Sequence, residues 1–79
     1  MEPDYEFLVT YDDGFSVYWA VLMAPSAEEI LSKYPELVIA ERRPDGMNED
    51  DYVELRSRAL WLDQPPAGIL VALLEDRDR

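Results

Sequence analysis

The feature that most constrains the fold of this 79-residue chain is a strand–turn–strand pattern near its N-terminus. In the segment Asp4–Tyr11, aromatic and aliphatic side chains recur at every second position, the period of a half-buried β-strand. Asp12–Asp13–Gly14 follows, and an Asp-Gly pair between two β-rich runs is a strong hairpin signal because glycine tolerates the positive φ of the turn. The second strand, Phe15–Met23, is apolar on both faces. Such a strand is either buried on both faces, or buried on one face with an exposed apolar second face that favours contact with another molecule.

A helix and a third strand are predicted to follow the hairpin. Ser26 and Glu29 form a capping box, so a helix is expected over Ala27–Tyr34, ended by Pro35. Residues Glu36–Glu41 are then predicted to form a strand. Two strands joined through a helix are expected to be parallel with a right-handed crossover. The third strand should therefore run parallel to the second, most simply beside the first and antiparallel to it.

The second half of the chain predicts two more helices. After a loop, Asn48 is a good N-cap for a helix that runs to about Leu60, with acidic residues in its first turn, where the helix dipole favours them. The segment Leu60–Trp61–Leu62 fits either a short strand or an anchored turn. Pro65–Pro66 is predicted to start a last helix with an apolar Ala67–Leu74 and a charged tail.

These elements predict an α+β fold in one domain spanning residues 1–79. The expected sheet is three-stranded and mainly antiparallel, in β-β-α-β-α-α order, with the helices packed on one face. Hydrophobic residues make up 48% of the chain, which indicates a folded rather than a disordered protein despite its charge.

The charge balance restricts the partners that the chain can have. Eighteen acidic residues stand against seven basic ones, a formal net charge of -11. Direct binding to nucleic acid or to an anionic membrane is disfavoured, because these carry charge of the same sign. The acidic start Met1–Glu2–Pro3–Asp4 lacks the basic region of a secretory signal, and the apolar run Ile69–Leu74 is too short to span a bilayer. The cytoplasm is therefore the expected location, and the charge favours either a basic protein partner or none.

Catalytic chemistry has little support in the residue types present. The chain contains no His and no Cys, which removes the usual general base, thiol nucleophile and zinc ligands. The acidic stretch around Asp45–Asp51 lacks the alternating ligand spacing of a calcium loop. The basic pair Arg42–Arg43 is interpreted as a solvated pair that balances neighbouring acids. We expect no enzyme activity, no metal and no cofactor.

Two apolar features suggest contact with another protein. Tyr18 and Leu22, joined by Leu8, are expected to form an exposed patch on the sheet side opposite the helices, unless the last helix covers that side. The last helix is apolar almost all round, which is typical of burial on more than one side. If the patch is exposed, or if a second chain covers one side of the last helix, a homodimer is the simplest explanation of that surface.

The sequence therefore leaves two main functional hypotheses, and a carboxylate- or metal-dependent enzyme is a third, much less favoured one. The first is a small protein-interaction module, such as an adaptor, an inhibitor or a regulatory subunit. The alternative is an acidic nucleic-acid mimic that inhibits a DNA- or RNA-binding protein, which requires the carboxylates to be gathered on one surface. The expected partner-binding residues are Leu8, Asp12, Asp13, Tyr18, Leu22, Asp50, Asp51 and Glu54.

The sequence also resembles a group of short acidic bacterial proteins, chiefly actinobacterial, that have no assigned function. The resemblance is carried by Tyr5–Gly14, by the Trp19 strand, by Tyr34–Pro35–Glu36–Leu37 and by Glu41–Arg42–Arg43–Pro44. It implies an intracellular bacterial origin and brings no activity or functional residues.

Overall fold

A computed structural model describes residues 3–78, and over this range the chain is an α+β fold with four strands and three helices. The predicted domain also includes Met1, Glu2 and Arg79, which lie outside the described residues. The strands are β1 (Tyr5–Asp12), β2 (Val17–Ala24), β3 (Val38–Ala40) and β4 (Leu60–Trp61), and the helices are α1 (Ala27–Lys33), α2 (Glu49–Ser57) and α3 (Ile69–Arg77). Within the described part, no helix is both long and apolar enough to cross a membrane.

The predicted N-terminal hairpin is confirmed. Strands β1 and β2 pair antiparallel, with Tyr5 opposite Ala24 and Asp12 opposite Val17. Gly14 has a φ of 93°, the left-handed region that the Asp-Gly signal requires. Strand β2 starts two residues later than expected, because the Asp13 carboxylate holds Phe15 and the following residue in the turn.

The sheet is larger than the sequence predicts. As expected, β3 lies antiparallel beside β1, with Ile39 opposite Val9. A fourth strand pairs parallel with β2 on the other side, so the order is β3-β1-β2-β4 and the sheet is mixed rather than three-stranded and mainly antiparallel. The physical reason is that Leu62 is buried in the core and its N–H donates to the carbonyl oxygen of Met23 (3.0 Å), which draws β4 onto the sheet.

The prediction that the helices pack on one face is wrong, because the sheet has helices on both. The connection from β2 to β3 through α1 crosses the sheet in one direction, and the connection from β3 to β4 through α2 crosses it in the other. Right-handed crossovers that run in opposite directions place their helices on opposite faces. We call the face under α1 and α3 the core face and the other the α2 face.

The main core lies on the core face. Val9 and Leu22 from the sheet pack there with Ile30 of α1 and with Leu70 and Leu73 of α3, all of them 2% exposed or less. Burying aliphatic side chains of this size contributes about 1.5–3 kcal/mol each. This cluster is therefore the main source of stability.

The two later helices begin differently. Asn48 caps α2 with the reciprocal hydrogen bonds of a capping box, in which its side chain accepts from the N–H of Asp51 (2.8 Å). Helix α3 begins at Ile69, so Pro65–Pro66 lies in the preceding loop and not in its first turn. Gly68 stands before α3 with a φ of 57°, a conformation that glycine adopts without strain.

Candidate functional site

The α2 face is covered by one small helix and keeps exposed apolar side chains. None of the described side chains of α2 is buried, and Val53 on this helix is 54% exposed. On the sheet beneath it, Val17 is 56% exposed, and Trp61 of β4 is 39% exposed. Of the two apolar faces of β2, the one toward α2 is thus only partly covered by the rest of the chain.

A groove of about 620 Å³ lies between the hairpin end of β2, the loop before α2 and α2 itself. We call it the hairpin groove. Its apolar lining includes Val17, Trp19, Met47 and Leu55, and the carboxylates of Asp51 and Glu54 line it as well. Tyr18 borders the groove between Val17 and Trp19, but its ring lies on the core face, stacked on that of Tyr11. Arg58 also lines it and pairs with Glu54 at 3.2 Å, with both side chains largely exposed. The groove is therefore apolar at its base and mainly acidic around it.

The outer edge of β2 is open beside this groove. Strand β4 pairs with β2 only at Leu22 and Met23. The N–H of Asp13 donates to the carbonyl oxygen of Ser16 (3.2 Å), and hydrogen bonding alternates along an antiparallel ladder. The backbone groups of Tyr18 therefore point toward β1, and those of Val17 and Trp19 point away from it. Among residues 3–78, no strand pairs with Val17 or Trp19 on that outer side.

The hairpin turn next to the groove is held by carboxylates. Asp12 Oδ1 accepts from the N–H of Gly14 (2.8 Å), and Asp13 Oδ1 accepts from the N–H groups of Phe15 (2.8 Å) and Ser16 (2.7 Å). The N–H groups of Ser16 and then Phe15 hold the pKa of Asp13 below its ordinary value. The turn presents Phe15 with 95% of its surface exposed.

The predicted site residues are distributed unevenly over this region. Asp51 and Glu54 line the hairpin groove, whereas Asp12 and Asp13 form the adjoining turn. Tyr18 borders the groove, but its ring lies on the opposite, core face of the sheet. Asp50 is in the first turn of α2 but does not line the groove.

The exposed patch expected from Leu8, Tyr18 and Leu22 is absent. Leu8 is 5% exposed on the α2 face, and Leu22 is fully buried on the core face. The expectation failed because both faces of the sheet carry a helix. Only Tyr18, 37% exposed, remains accessible.

Several carboxylates that a nucleic-acid mimic would need to keep free have partners within the fold. The Glu6 carboxylate accepts from the Tyr52 hydroxyl (2.5 Å) and from Arg56 Nε (2.7 Å). The hydrogen bond to Glu6 raises the pKa of Tyr52. Asp51 is part of the α2 capping box, and Glu54 pairs with Arg58.

The residues that sequence reasoning missed are Phe15, Val17 and Trp19, which it treated only as strand positions. Their importance comes from the shortness of β4, which leaves the β2 edge open beside them. The two-sided apolar pattern of β2 was the available signal, but it does not say which part of the strand stays uncovered.

Over residues 3–78, no group of three or more acidic side chains is placed to hold a metal ion. Comparisons with protein-family models, with curated proteins and with solved structures give no match. The functional interpretation therefore depends on the geometry of the hairpin groove and the β2 edge.

Proposed function

We propose that this chain is a small protein-interaction module that binds an extended segment of a partner protein along the open edge of β2. The observation that carries the proposal is the outward direction of the backbone groups of Val17 and Trp19, next to the hairpin groove. An added strand would pair with these groups, and its alternate side chains would enter the groove. The proposal assigns the chain a binding role and no catalytic one.

The charge of the site indicates the chemistry of the partner segment. Asp51 lines the groove together with Glu54, whose charge is partly offset by Arg58, and Asp12 and Asp13 lie in the adjoining turn. The whole chain carries a net charge of -11. A field of this sign speeds the encounter with a basic partner and repels acidic ones. The segment should therefore alternate apolar side chains, which fill the groove, with lysine or arginine.

Two other partners are less favoured by the same contacts. A second copy of the chain would bring two acidic surfaces together, so a basic heterologous partner fits better than a homodimer. A nucleic-acid mimic needs carboxylates that are free to face a basic groove, whereas Glu6 and Glu54 are paired with arginines of the chain itself. We propose the cytoplasm as the compartment, which suits a chain without cysteine.

The direct test is selection of peptides from a random display library, followed by affinity measurement with two variants at one position. Val17→Pro removes the outward N–H while placing proline at the first residue of an edge strand, where the fold tolerates it. Val17→Thr keeps both the N–H and a β-branched side chain and is the matched control. We expect the selected peptides to alternate apolar and basic residues and to bind Val17→Pro about tenfold more weakly, or worse, while Val17→Thr binds like the wild type.

The readout that separates strand addition from other binding is amide exchange. Binding of a selected peptide should slow exchange at the Trp19 N–H, because an added strand accepts from it. Equal affinity for wild type and Val17→Pro, with no change at Trp19, would contradict the proposal. Circular dichroism of both variants checks that the fold is kept.

A further inference from the structure

A second groove opens at the opposite edge of the sheet, where β1 and β3 separate. The last pair of their ladder is Leu8 opposite Ala40. Continued in the same register, the ladder would place Glu6 opposite Arg42, but the chain bends away at Glu41 and Arg42. The gap is about 660 Å³ and is lined by both segments and by Tyr52 of α2. We call it the edge fork.

The edge fork contains two arginines, Arg42 and Arg43, and both are exposed. Among residues 3–78, the ion pairs use Arg56, Arg58 and Arg77. Arg42 and Arg43 line the fork and take part in none of them, although the chain has 18 acidic residues. The expectation of a solvated pair agrees with their exposure, and among the described residues neither forms an ion pair with Glu41 or Asp45.

The backbone supplies a further donor to the same gap. Backbone hydrogen bonding along β1 alternates between its two neighbours, and the N–H of Asp13 is bonded across the hairpin. The backbone N–H and C=O groups of the odd-numbered residues of β1 therefore point toward β2, and those of the even-numbered residues point toward β3. The N–H of Glu6 therefore points into the fork, at the level where β3 has already ended. The Glu6 carboxylate is held by Tyr52 and Arg56, which offsets its charge.

Apolar side chains complete the lining of the edge fork. Leu8 and Ala40, which lie opposite each other on the α2 face, contribute to it, whereas Phe7 and Ile39 border the fork from the core face, where they pack against the core. A site that combines two guanidinium groups and a backbone N–H with apolar walls suits a ligand that has an anionic end and an apolar body. The volume lies within the range of small-molecule sites, which is about 300–1,000 Å³.

We propose that the edge fork binds a small apolar monocarboxylate. Its carboxylate accepts hydrogen bonds from Arg42 or Arg43 and from the Glu6 N–H, and its apolar group lies against Leu8 and Ala40. A single negative charge is favoured over a phosphate dianion because Glu41 also lines the fork and the chain as a whole is strongly acidic. This site is separate from the hairpin groove and does not depend on the proposed function.

The test is a titration followed by amide chemical shifts, with phenylacetate as the probe and phenylacetamide as its neutral match. Phenylacetate should shift the amides of Glu6, Leu8 and Ala40–Arg43, and phenylacetamide should bind about tenfold more weakly or worse. The double variant Arg42→Gln/Arg43→Gln should lose phenylacetate binding by a similar factor. Arg58→Gln, which removes an arginine of the hairpin groove, should bind phenylacetate like the wild type.

This inference would be overturned by the absence of shifts at millimolar phenylacetate, by equal binding of the amide, or by binding to the double arginine variant that matches the wild type. Tighter binding of inorganic phosphate than of phenylacetate would also contradict it. Val17→Pro should bind phenylacetate normally, so that failure here and failure of the strand-addition proposal are distinguished.

Discussion

The Tyr11 hydroxyl donates a hydrogen bond to Asp76 Oδ2 at 2.7 Å, joining β1 to the last turns of α3 across 65 residues of sequence. The Tyr11 side chain is 7% exposed, and its ring stacks on that of Tyr18 with centroids 6.5 Å apart. The contact connects the C-terminal helix to the hairpin that carries the candidate site. The hydrogen bond to Asp76, followed by burial, raises the pKa of Tyr11 to about 12.

This contact predicts a pH dependence of stability in the alkaline range. The neutral hydroxyl is favoured in the folded state, so its contribution is complete below the ordinary pKa of 10.0 and is lost as the pH rises toward about 12. The free energy of unfolding should therefore fall between these two pH values, and Tyr11→Phe should flatten that fall. Asp76→Asn should return the pKa of Tyr11 toward 10.0, measured by ultraviolet difference titration. An unchanged tyrosine titration in Asp76→Asn would contradict the assignment.

Adjacent residues of α1 provide a matched test of the core. Ile30 is fully buried and Leu31 is 42% exposed. Ile30→Val should lower the free energy of unfolding by about 0.5–1.5 kcal/mol, because it removes a packed methylene group. Leu31→Val should change it by less than about 0.5 kcal/mol. Urea denaturation of both variants measures the difference, and equal effects would mean that α1 does not pack as described.

The excess of carboxylates predicts that salt stabilises the protein. Salt weakens the described ion pairs, but these are few against 18 acidic and seven basic residues, so screening of repulsion should dominate. The melting temperature should rise between about 0.01 and 0.15 M NaCl. The double variant Asp45→Asn/Asp63→Asn removes two exposed loop charges and should show a smaller rise. A melting temperature that is independent of salt would count against this account.

The local signals in the sequence predicted local structure well. The Asp-Gly turn, the Ser26 and Asn48 caps and the alternation along β1 all correspond to elements in the structure, because each depends on a few neighbouring residues. The antiparallel place of β3 beside β1 followed from the handedness of a crossover.

The sequence did not predict how the sheet is covered. The second face is covered because β4 joins the edge opposite β3, which sends α2 across the other side. The pairing of β4 with β2 depends on two residues, Leu60 and Trp61, and the sequence around them fitted a short strand and a turn equally. The same uncertainty led to the mistaken patch of Leu8 and Leu22 and concealed the open edge beside Val17 and Trp19.

The most direct test of the central claim is hydrogen exchange along β2 in the free protein. If the outer edge is open, the amide of Trp19 should exchange much faster than those of Tyr18 and Ala20, which are bonded to β1. Adding a selected basic, apolar peptide should then slow Trp19 selectively. Protection at Trp19 as strong as at Ala20 in the free protein would mean that the edge is already occupied, and would contradict the proposed binding site.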